Sequence, residues 1–192
     1  MLVTLEGVDG AGKSTVLDGL RAHYPDAVYT SEPTDTWRGD AVRRSLSSED
    51  SHPLADLFLF VSDHAQHLAE VVEPSLEEDE LVVSDRYTDS RYAYQSVTLA
   101  DVVDEPLDYL RTVHEPWTRA PDLTLLLDVD VDLALSRLDD RMKYEDRDHL
   151  ERVRENYLEI ARREPGRVEV VDAARPADEV VTRCVDAIDR ER

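Results

Sequence analysis

A glycine-rich stretch near the amino terminus constrains the fold of this chain more than any other feature. Residues 7–15 read Gly-Val-Asp-Gly-Ala-Gly-Lys-Ser-Thr and fit G-x-x-x-x-G-K-[ST], a pattern whose backbone N–H groups surround a phosphate. The apolar segment 2–6 predicts a buried strand before it, and a helix is predicted over 13–23. A P-loop requires this order of strand, turn and helix. The sequence therefore predicts a nucleoside triphosphate site in an α/β fold.

The P-loop pattern assigns an expected role to each of its positions. Lys13 is expected to reach the β- and γ-phosphates of ATP, and Ser14 is expected to hold Mg²⁺. The first turn of the following helix adds the positive end of a helix dipole. The residues predicted to bind ATP are Gly7, Val8, Asp9, Gly10, Ala11, Gly12, Lys13, Ser14 and Thr15.

Length and composition restrict the class of protein. The 192 residues, of which 41% are hydrophobic, suit a single domain over 1–192 with a sizeable core. No apolar run approaches the roughly 20 residues of a membrane-spanning helix, and the first strand begins too early to leave room for a signal peptide. Cys184 has no second cysteine with which to form a disulfide or a metal site. We therefore expect a cytoplasmic protein that does not bind membranes.

The charge of the chain is strongly negative. It carries 44 acidic and 22 basic residues, for a net charge of −22, and such a surface repels nucleic acid and anionic membranes. Phosphorylated substrates therefore require a local basic pocket. The acidic excess, with Lys13 and Lys143 as the only two lysines, is typical of adaptation to a high-salt cytoplasm in which counterions screen self-repulsion. An acidic protein of an ordinary cytoplasm is the alternative.

Predicted strands and helices alternate along the chain. After the P-loop, a strand is predicted at 27–30, a short helix at 40–47, and a long helix over 53–72 that ends before Pro74. The further predicted elements are a strand at 81–83, helices at 88–99 and 106–115, a strand at 123–127, helices at 131–138 and 146–163, a strand at 168–171 and a helix at 177–190. This alternation predicts a five-stranded parallel sheet with helices on both faces.

A second anion site is predicted where the third strand ends, at Asp85-Arg86-Tyr87. In α/β proteins ligands bind at the carboxyl ends of parallel strands, and an arginine there can bind a phosphate through two hydrogen bonds. Asp85 can approach Mg²⁺ directly or through water. The sequence lacks the Asn-Lys-x-Asp signature of Ras-type GTPases and the Asp-Glu strand end of motor and AAA-type ATPases. A small-molecule phosphotransferase is therefore favoured. For Asp85 and Arg86 themselves, the alternative to an anion site is a structural ion pair at the strand end.

The segment at about 137–147 concentrates Arg137, Arg141, Lys143 and Arg147 between two predicted helices. One interpretation is a lid that closes over the nucleotide phosphates. The other is a solvated helix surface with mixed charges.

Taken together, these motifs resemble those of thymidylate kinases over nearly the whole chain. The matching segments are the extended P-loop at 5–15, including Glu6 and Asp9, the Glu-Pro loop at 32–34, the long-helix motif at 59–67, the third signature at 85–90 with 93–95, the lid at 140–141 and 143–145, and the helix behind it at 153–157. The resemblance implies a three-layer fold like that of P-loop nucleoside monophosphate kinases. It also implies transfer of the γ-phosphoryl group of ATP to dTMP, giving dTDP, with Mg²⁺ as cofactor.

The resemblance further implies roles for individual residues. Phe60 is expected to stack on the thymine ring, and Asp9 to lie between the two substrates near Mg²⁺. Lid residues are expected to supply basic groups, because Ala11 stands where other family members have an arginine. The expected catalytic residues are Asp9, Lys13, Arg86, Arg137, Arg141 and Lys143, with Arg147 a weaker candidate. The expected acceptor-site residues are Glu32, Pro33, Phe60, His64, Arg86, Ser90, Tyr94 and Gln95, and the expected Mg²⁺ ligands are Ser14, Asp9 and Asp85. A homodimer is implied, with helices near 53–72 and 88–99 as its possible interface.

Two positions depart from the family pattern and concern the base. Many relatives have an arginine in place of His64 that holds the thymine carbonyl; the histidine either donates one hydrogen bond to the base or is a partly exposed helix residue. Arg91 replaces a small polar residue, and it either turns outward or adds charge near the acceptor. These two departures concern base selectivity more than reaction type.

Three alternative functions stay open. They are a kinase for another nucleoside monophosphate, a deoxynucleoside kinase with Glu32 as its base, and a non-catalytic regulatory nucleotide-binding protein.

Overall fold

Parallel strands form the centre of the chain. The computed structural model describes residues 1–48, 50–138 and 147–192. Its strands are β1 (Leu2–Glu6), β2 (Val28–Ser31), β3 (Val82–Asp85), β4 (Leu123–Asp128) and β5 (Val168–Asp172). They form one parallel sheet in the order β2-β3-β1-β4-β5. The P-loop strand β1 is therefore central, and β3 lies directly beside it.

Helices cover the sheet on both faces, which confirms the predicted fold class. They are α1 (Lys13–His23), α2 (Trp37–Leu46), α3 (Pro53–His67), α4 (Glu73–Glu77), α5 (Thr88–Thr98), α6 (Pro106–His114), α7 (Val131–Arg137), α8 (Arg147–Arg163) and α9 (Ala177–Glu191). Helix α1 packs against α9, and α5 packs against both α6 and α8. Among the described helices, none has the length and apolarity needed to cross a bilayer.

The central strands are buried on both faces, which explains their short continuous apolar runs. Val3, Leu5, Val83 and Leu125 are fully buried. Burying apolar side chains stabilises the fold by roughly 1.5–3 kcal/mol for each large residue. Glu6, a buried polar residue at the end of β1, lies at the carboxyl edge of the sheet, where the functional side chains gather.

The long third helix differs from the prediction, because it does not end before Pro74. Helix α3 passes into a single π-helical turn, Leu68–Val72, in which the N–H of Glu73 donates to the carbonyl of Leu68. Helix α4 then begins, and Pro74 falls in its first turn, where a missing N–H costs no hydrogen bond. The π turn therefore lets the helical segment continue through Pro74, before which the sequence predicts that the helix ends.

Helix α2 begins at Trp37, three residues before its predicted start at 40. The hydroxyl of Thr36 accepts the N–H of Arg38 at 3.2 Å, and such a cap satisfies one of the free donors at a helix start. This cap explains why α2 begins one turn earlier than predicted.

Candidate active site

The P-loop connects β1 to α1 in a tight turn that only small residues allow. Gly10 has a φ of 81°, and a Cβ placed there would lie 2.2 Å from the carbonyl oxygen of Ala134 in α7. Gly12 caps α1 with a φ of 98°. Glycine takes up such left-handed conformations without steric cost. The loop therefore packs directly against α7, the helix that ends at Arg137.

Lys13 lies folded into the loop. Its side chain is buried, and its Nζ donates to the carbonyls of Gly7 and Val8 at 3.0 and 3.1 Å. Burial, followed by the nearby positive charge of Arg86, lowers the pKa of Lys13 to about 8. Phosphate oxygens would give this ammonium charged acceptors, which form stronger hydrogen bonds than carbonyls do.

Arg86 and Asp9 form the charged centre of the site. Arg86 follows β3 with a φ of 66°, and its Nη2 donates to Oδ1 of Asp9 at 2.6 Å. The hydroxyl of Tyr94 donates to Oδ2 of Asp9 at 3.2 Å. Burial opposes ionisation of Asp9, but Arg86 and Lys13 outweigh it and lower the pKa of this carboxyl. The Nζ of Lys13 is 4.0 Å from the same carboxylate, so Asp9 lies between the P-loop lysine and Arg86.

A second buried cluster joins three separate elements behind the Glu-Pro loop. Glu32 accepts hydrogen bonds from Nδ1 of His64 at 2.7 Å and Nδ1 of His67 at 2.6 Å, and Arg91 pairs with its other oxygen. All four side chains are buried. Burial opposes ionisation, but Arg91 and His64 hold the pKa of Glu32 well below its usual range.

This cluster settles two alternatives that the sequence left open. His64 is fully buried, so the alternative of a partly exposed helix residue is wrong. Its Nε2 forms a hydrogen bond with Thr118 at 2.7 Å. Both ring nitrogens of His64 have protein partners in this arrangement. Arg91 is only 3% exposed, so its outward orientation is also wrong. Sequence reasoning missed the link between Glu32 and Arg91, for which no local pattern exists.

Glu32, His64 and His67 offer one oxygen and two nitrogens within 4.8 Å of one another, a ligand set that Zn²⁺ accepts. Arg91 already provides the positive charge opposite Glu32, and Thr30 bonds to the outer nitrogen of His67 at 2.7 Å. Hydrogen bonds thus engage Glu32 and both histidines, and a metal would compete with Arg91.

Oxygen donors suited to Mg²⁺ lie at the carboxyl ends of β1 and β3. Within the described residues, Oδ1 of Asp85 is buried without a hydrogen-bond partner, while Ser14 is exposed in the first turn of α1. Hard oxygen ligands of this kind fit Mg²⁺. Asp9, the third expected ligand, is engaged by Arg86 and would have to share or exchange that partner.

The remaining expected acceptor-site residues come from three elements. Pro33 and Phe60 are half-buried, and Ser90 receives a hydrogen bond from Arg86 at 3.0 Å. Gln95 is 5% exposed, and both atoms of its amide lack a hydrogen-bond partner in the described part of the chain. An unpaired buried amide is costly, which fits a group that meets a polar ligand edge.

The opposite side of the P-loop opens into a cavity of about 230 Å³ lined by Ala11, Gly12, Thr15, Val16, Arg137, Ala173, Arg175, Ala177 and Val180. Arg137 donates to the carbonyls of Gly10 and Ala173 at 3.5 and 3.1 Å. Arg147 instead pairs with Asp132 at 2.8 Å on the surface. The predicted lid residues Arg141 and Lys143 lie outside the described residues.

Comparisons with known proteins identify the family and the fold of this chain. The family model for thymidylate kinase matches residues 5–184. A probable thymidylate kinase of Natronomonas pharaonis is 49% identical over 191 residues, covering 98% of this chain and 97% of the relative. Another, from Halobacterium salinarum, is 50% identical over 182 residues, covering 94% and 92%. The crystal structure of thymidylate kinase from Ehrlichia chaffeensis superposes with a TM-score of 0.75, at 26% identity and 98% coverage of both chains.

Proposed function

This chain belongs to the thymidylate kinase family, and from that premise we propose that it phosphorylates dTMP with the residues gathered around Asp9 and Arg86. The reaction is transfer of the γ-phosphoryl group of ATP to dTMP, giving ADP and dTDP. The haloarchaeal relatives also agree with the salt adaptation that the charge of the chain predicts. A cytoplasmic location stays a prediction.

One observation carries the assignment of the site. Lys13 and Arg86 follow the carboxyl ends of the adjacent strands β1 and β3, and Asp9 lies 4.0 and 2.6 Å from these two cations. A kinase acting on a monophosphate needs one cation for the acceptor phosphate and one for the transferred group. The spacing around Asp9 places these two cations next to each other.

The mechanism requires positioning and charge neutralisation rather than covalent participation of the protein. Arg86 binds the phosphate of dTMP, whose oxygen attacks the γ-phosphorus in line with the departing ADP oxygen. Lys13 neutralises charge on the β- and γ-phosphates. When bound, Mg²⁺ neutralises further charge on the phosphates, and Ser14 and Asp85 are the side chains that would hold it. Asp9 orients Arg86 until the substrate arrives.

The acceptor is a nucleotide rather than a nucleoside in this proposal. A deoxynucleoside kinase would need a carboxylate free to accept a hydroxyl proton. Glu32 does not suit that role, because Arg91 and two histidines already engage its oxygens. Phe60 and Gln95 are proposed to contact the thymine base, and Arg137 to approach the phosphates of ATP. Arg141 and Lys143 remain predicted lid residues.

An acceptor series tests the proposed function. ATP-dependent ADP formation is measured in a coupled assay at high salt with dTMP, dUMP, dCMP, dGMP and thymidine. We expect dTMP to give the highest kcat/KM and thymidine to give no activity above background, since it lacks the phosphate that Arg86 binds. A higher kcat/KM for another acceptor, or phosphorylation of thymidine, would contradict the proposal.

A homodimer is also proposed, with α3 at its interface. Phe58 is 53% exposed, and it shares the exposed face of α3 with Ala55 and Ala65 at helical spacing. An exposed phenylalanine on such a stripe is typical of a protein interface. Residues 88–99 are left out of the proposed interface, because most of α5 is buried within the chain, with Tyr94 partly accessible and Thr98 exposed near its end.

Phe58→Asp is expected to dissociate the dimer. The substitution places a charge in the apolar stripe, and in a symmetric dimer it would place two such charges near each other. Light scattering after gel filtration at high salt should give twice the 21.9 kDa chain mass for the wild type and a single chain mass for the variant. Val102→Asp, at a site that is 37% exposed elsewhere, is the matched control and should remain dimeric. A monomeric wild type would contradict the proposal.

A further inference from the structure

Glu6 is a fully buried carboxylate at the end of β1, and both of its oxygens accept hydrogen bonds. Its Oε1 accepts the backbone N–H of Tyr87 at 2.8 Å. Its Oε2 accepts the hydroxyl of Ser90 at 2.5 Å and the hydroxyl of Tyr157 at 3.0 Å. These partners come from the end of β3, from α5 and from α8, so one side chain connects three elements.

Arg86 binds the other side of the same hydroxyls. Its Nη1 donates to Ser90 at 3.0 Å and to Tyr157 at 3.3 Å. The two hydroxyls also lie 2.8 Å from each other. When both point their hydrogens at Glu6, oxygen lone pairs of Ser90 and Tyr157 are left for the guanidinium. Glu6 also holds the backbone of Tyr87, the residue that follows Arg86. Arg86 itself has a left-handed φ of 66°, a conformation that surrounding contacts must maintain.

We propose that Glu6 is a positioning residue that fixes both the backbone and the guanidinium of Arg86 for the acceptor phosphate. This inference rests on the proposed role of Arg86 in binding dTMP. Glu6 acts through Ser90, Tyr157 and Tyr87, and it touches neither substrate.

The geometry requires a carboxylate and excludes an amide of the same shape. Both oxygens of Glu6 face donors, the N–H of Tyr87 on one side and two hydroxyls on the other. Glutamine has only one oxygen, so its NH₂ group must face a donor in either orientation. If the NH₂ group faces the hydroxyls, one hydroxyl can donate to the other across 2.8 Å, but the second hydrogen has no acceptor and must turn towards Arg86. If the NH₂ group faces Tyr87, it displaces the backbone beside Arg86. Either outcome moves the guanidinium.

Glu6→Gln tests the inference through dTMP binding, at pH 8.5 because burial and the nearby Asp89 raise the pKa of Glu6 to about 7. We expect the Kd and KM for dTMP to rise about tenfold, in the range for a lost hydrogen bond to a charged group. The KM for ATP should stay within about twofold and kcat within about threefold. Thr4→Val is the matched control, since Thr4 is buried on the same strand and bonds to Thr124 at 2.9 Å. It should leave both KM values unchanged.

The Arg86→Ala background separates this inference from the proposed function. Calorimetric dTMP binding should weaken in Arg86→Ala, and adding Glu6→Gln should weaken it no further, because the two residues act as one unit. Unchanged dTMP binding in Arg86→Ala would overturn the assigned role of Arg86. If Arg86→Ala binds weakly, unchanged dTMP affinity in Glu6→Gln, or a full further loss in the double variant, would overturn the inference about Glu6 alone.

A second variant covers the case in which Glu6→Gln does not fold. Tyr157→Phe removes one hydroxyl from Arg86 and leaves Glu6 its bonds to Ser90 and Tyr87. The KM for dTMP should then rise about threefold, with the KM for ATP unchanged, because a single neutral hydrogen bond is lost. An unchanged KM for dTMP, or equal rises for both substrates, would overturn the inference.

Discussion

Lys13→Ala should lower kcat by about 100- to 1000-fold, the usual cost of removing one group that neutralises charge in the transition state. The γ-phosphoryl group carries charge through the transfer, and Lys13 is the P-loop cation positioned to meet it. Its ammonium lies over the loop carbonyls of Gly7 and Val8, ready to exchange them for phosphate oxygens. Ala11 offers no replacement charge from within the loop.

The loss of activity should not come from unfolding. Burial lowers the pKa of Lys13 to about 8, so below that pH its protonated form costs the folded state free energy, and alanine removes this cost. The melting temperature of Lys13→Ala without nucleotide should therefore equal or exceed that of the wild type. Arg21→Ala, on the exposed side of the same helix, is the control and should keep full activity. A kcat for Lys13→Ala within about threefold of the wild-type kcat would contradict the mechanism.

Arg91→Met should lower the free energy of unfolding by about 3–5 kcal/mol, the cost of leaving a buried charge without its partner. Glu32 is 4% exposed and Arg91 is 3% exposed, so water cannot replace the lost guanidinium. His64 and His67 would remain as hydrogen-bond donors, but burial lowers the pKa of His64 and makes it a poor source of positive charge. Denaturant unfolding at pH 7 and constant high salt measures the difference.

The pH dependence of this difference gives a second check. The pKa of Glu32 is depressed in the folded state from a reference of 4.5, so its contribution is present above about pH 4.5 and is lost as the pH falls through the folded value. The difference in free energy of unfolding between the wild type and Arg91→Met should therefore become smaller in acid. Arg162→Met breaks an exposed ion pair with Glu159 and should change stability by roughly 0–1 kcal/mol. A change below about 1 kcal/mol for Arg91→Met would show that Glu32 does not depend on it.

Most of the fold could be predicted from the sequence, because its signals are local. The P-loop at 7–15 specifies a strand, a turn and a helix, and the apolar runs that follow specify buried parallel strands. The exception is the helical segment that continues through Pro74. Proline breaks the usual helical hydrogen bonds, so the sequence predicts that the helix ends before this residue. The π turn that accommodates it, Leu68–Val72, depends on packing of the whole helix and leaves no local pattern.

The same distinction between local and long-range signals applies to the candidate site. Asp9, Lys13 and Arg86 lie in short motifs that the sequence identifies by local spacing, and the structure brings Lys13 and Arg86 together around Asp9. The pairing of Glu32 with Arg91 joins residues 59 positions apart, and only the folded chain brings them together. Glu6 was visible as part of a motif, but its hydrogen bonds to Ser90 and Tyr157 depend on how α5 and α8 pack against β1.

The most direct test of the central claim follows the γ-phosphoryl group itself. Wild-type enzyme is incubated with dTMP, Mg²⁺ and ATP labelled at the γ-phosphate, at high salt, and the labelled products are separated. The account predicts that the label appears in dTDP in equal amount to the ADP formed, and that Lys13→Ala and Arg86→Ala both suppress it. Label that stays in ATP, or that appears only as free phosphate, would contradict it.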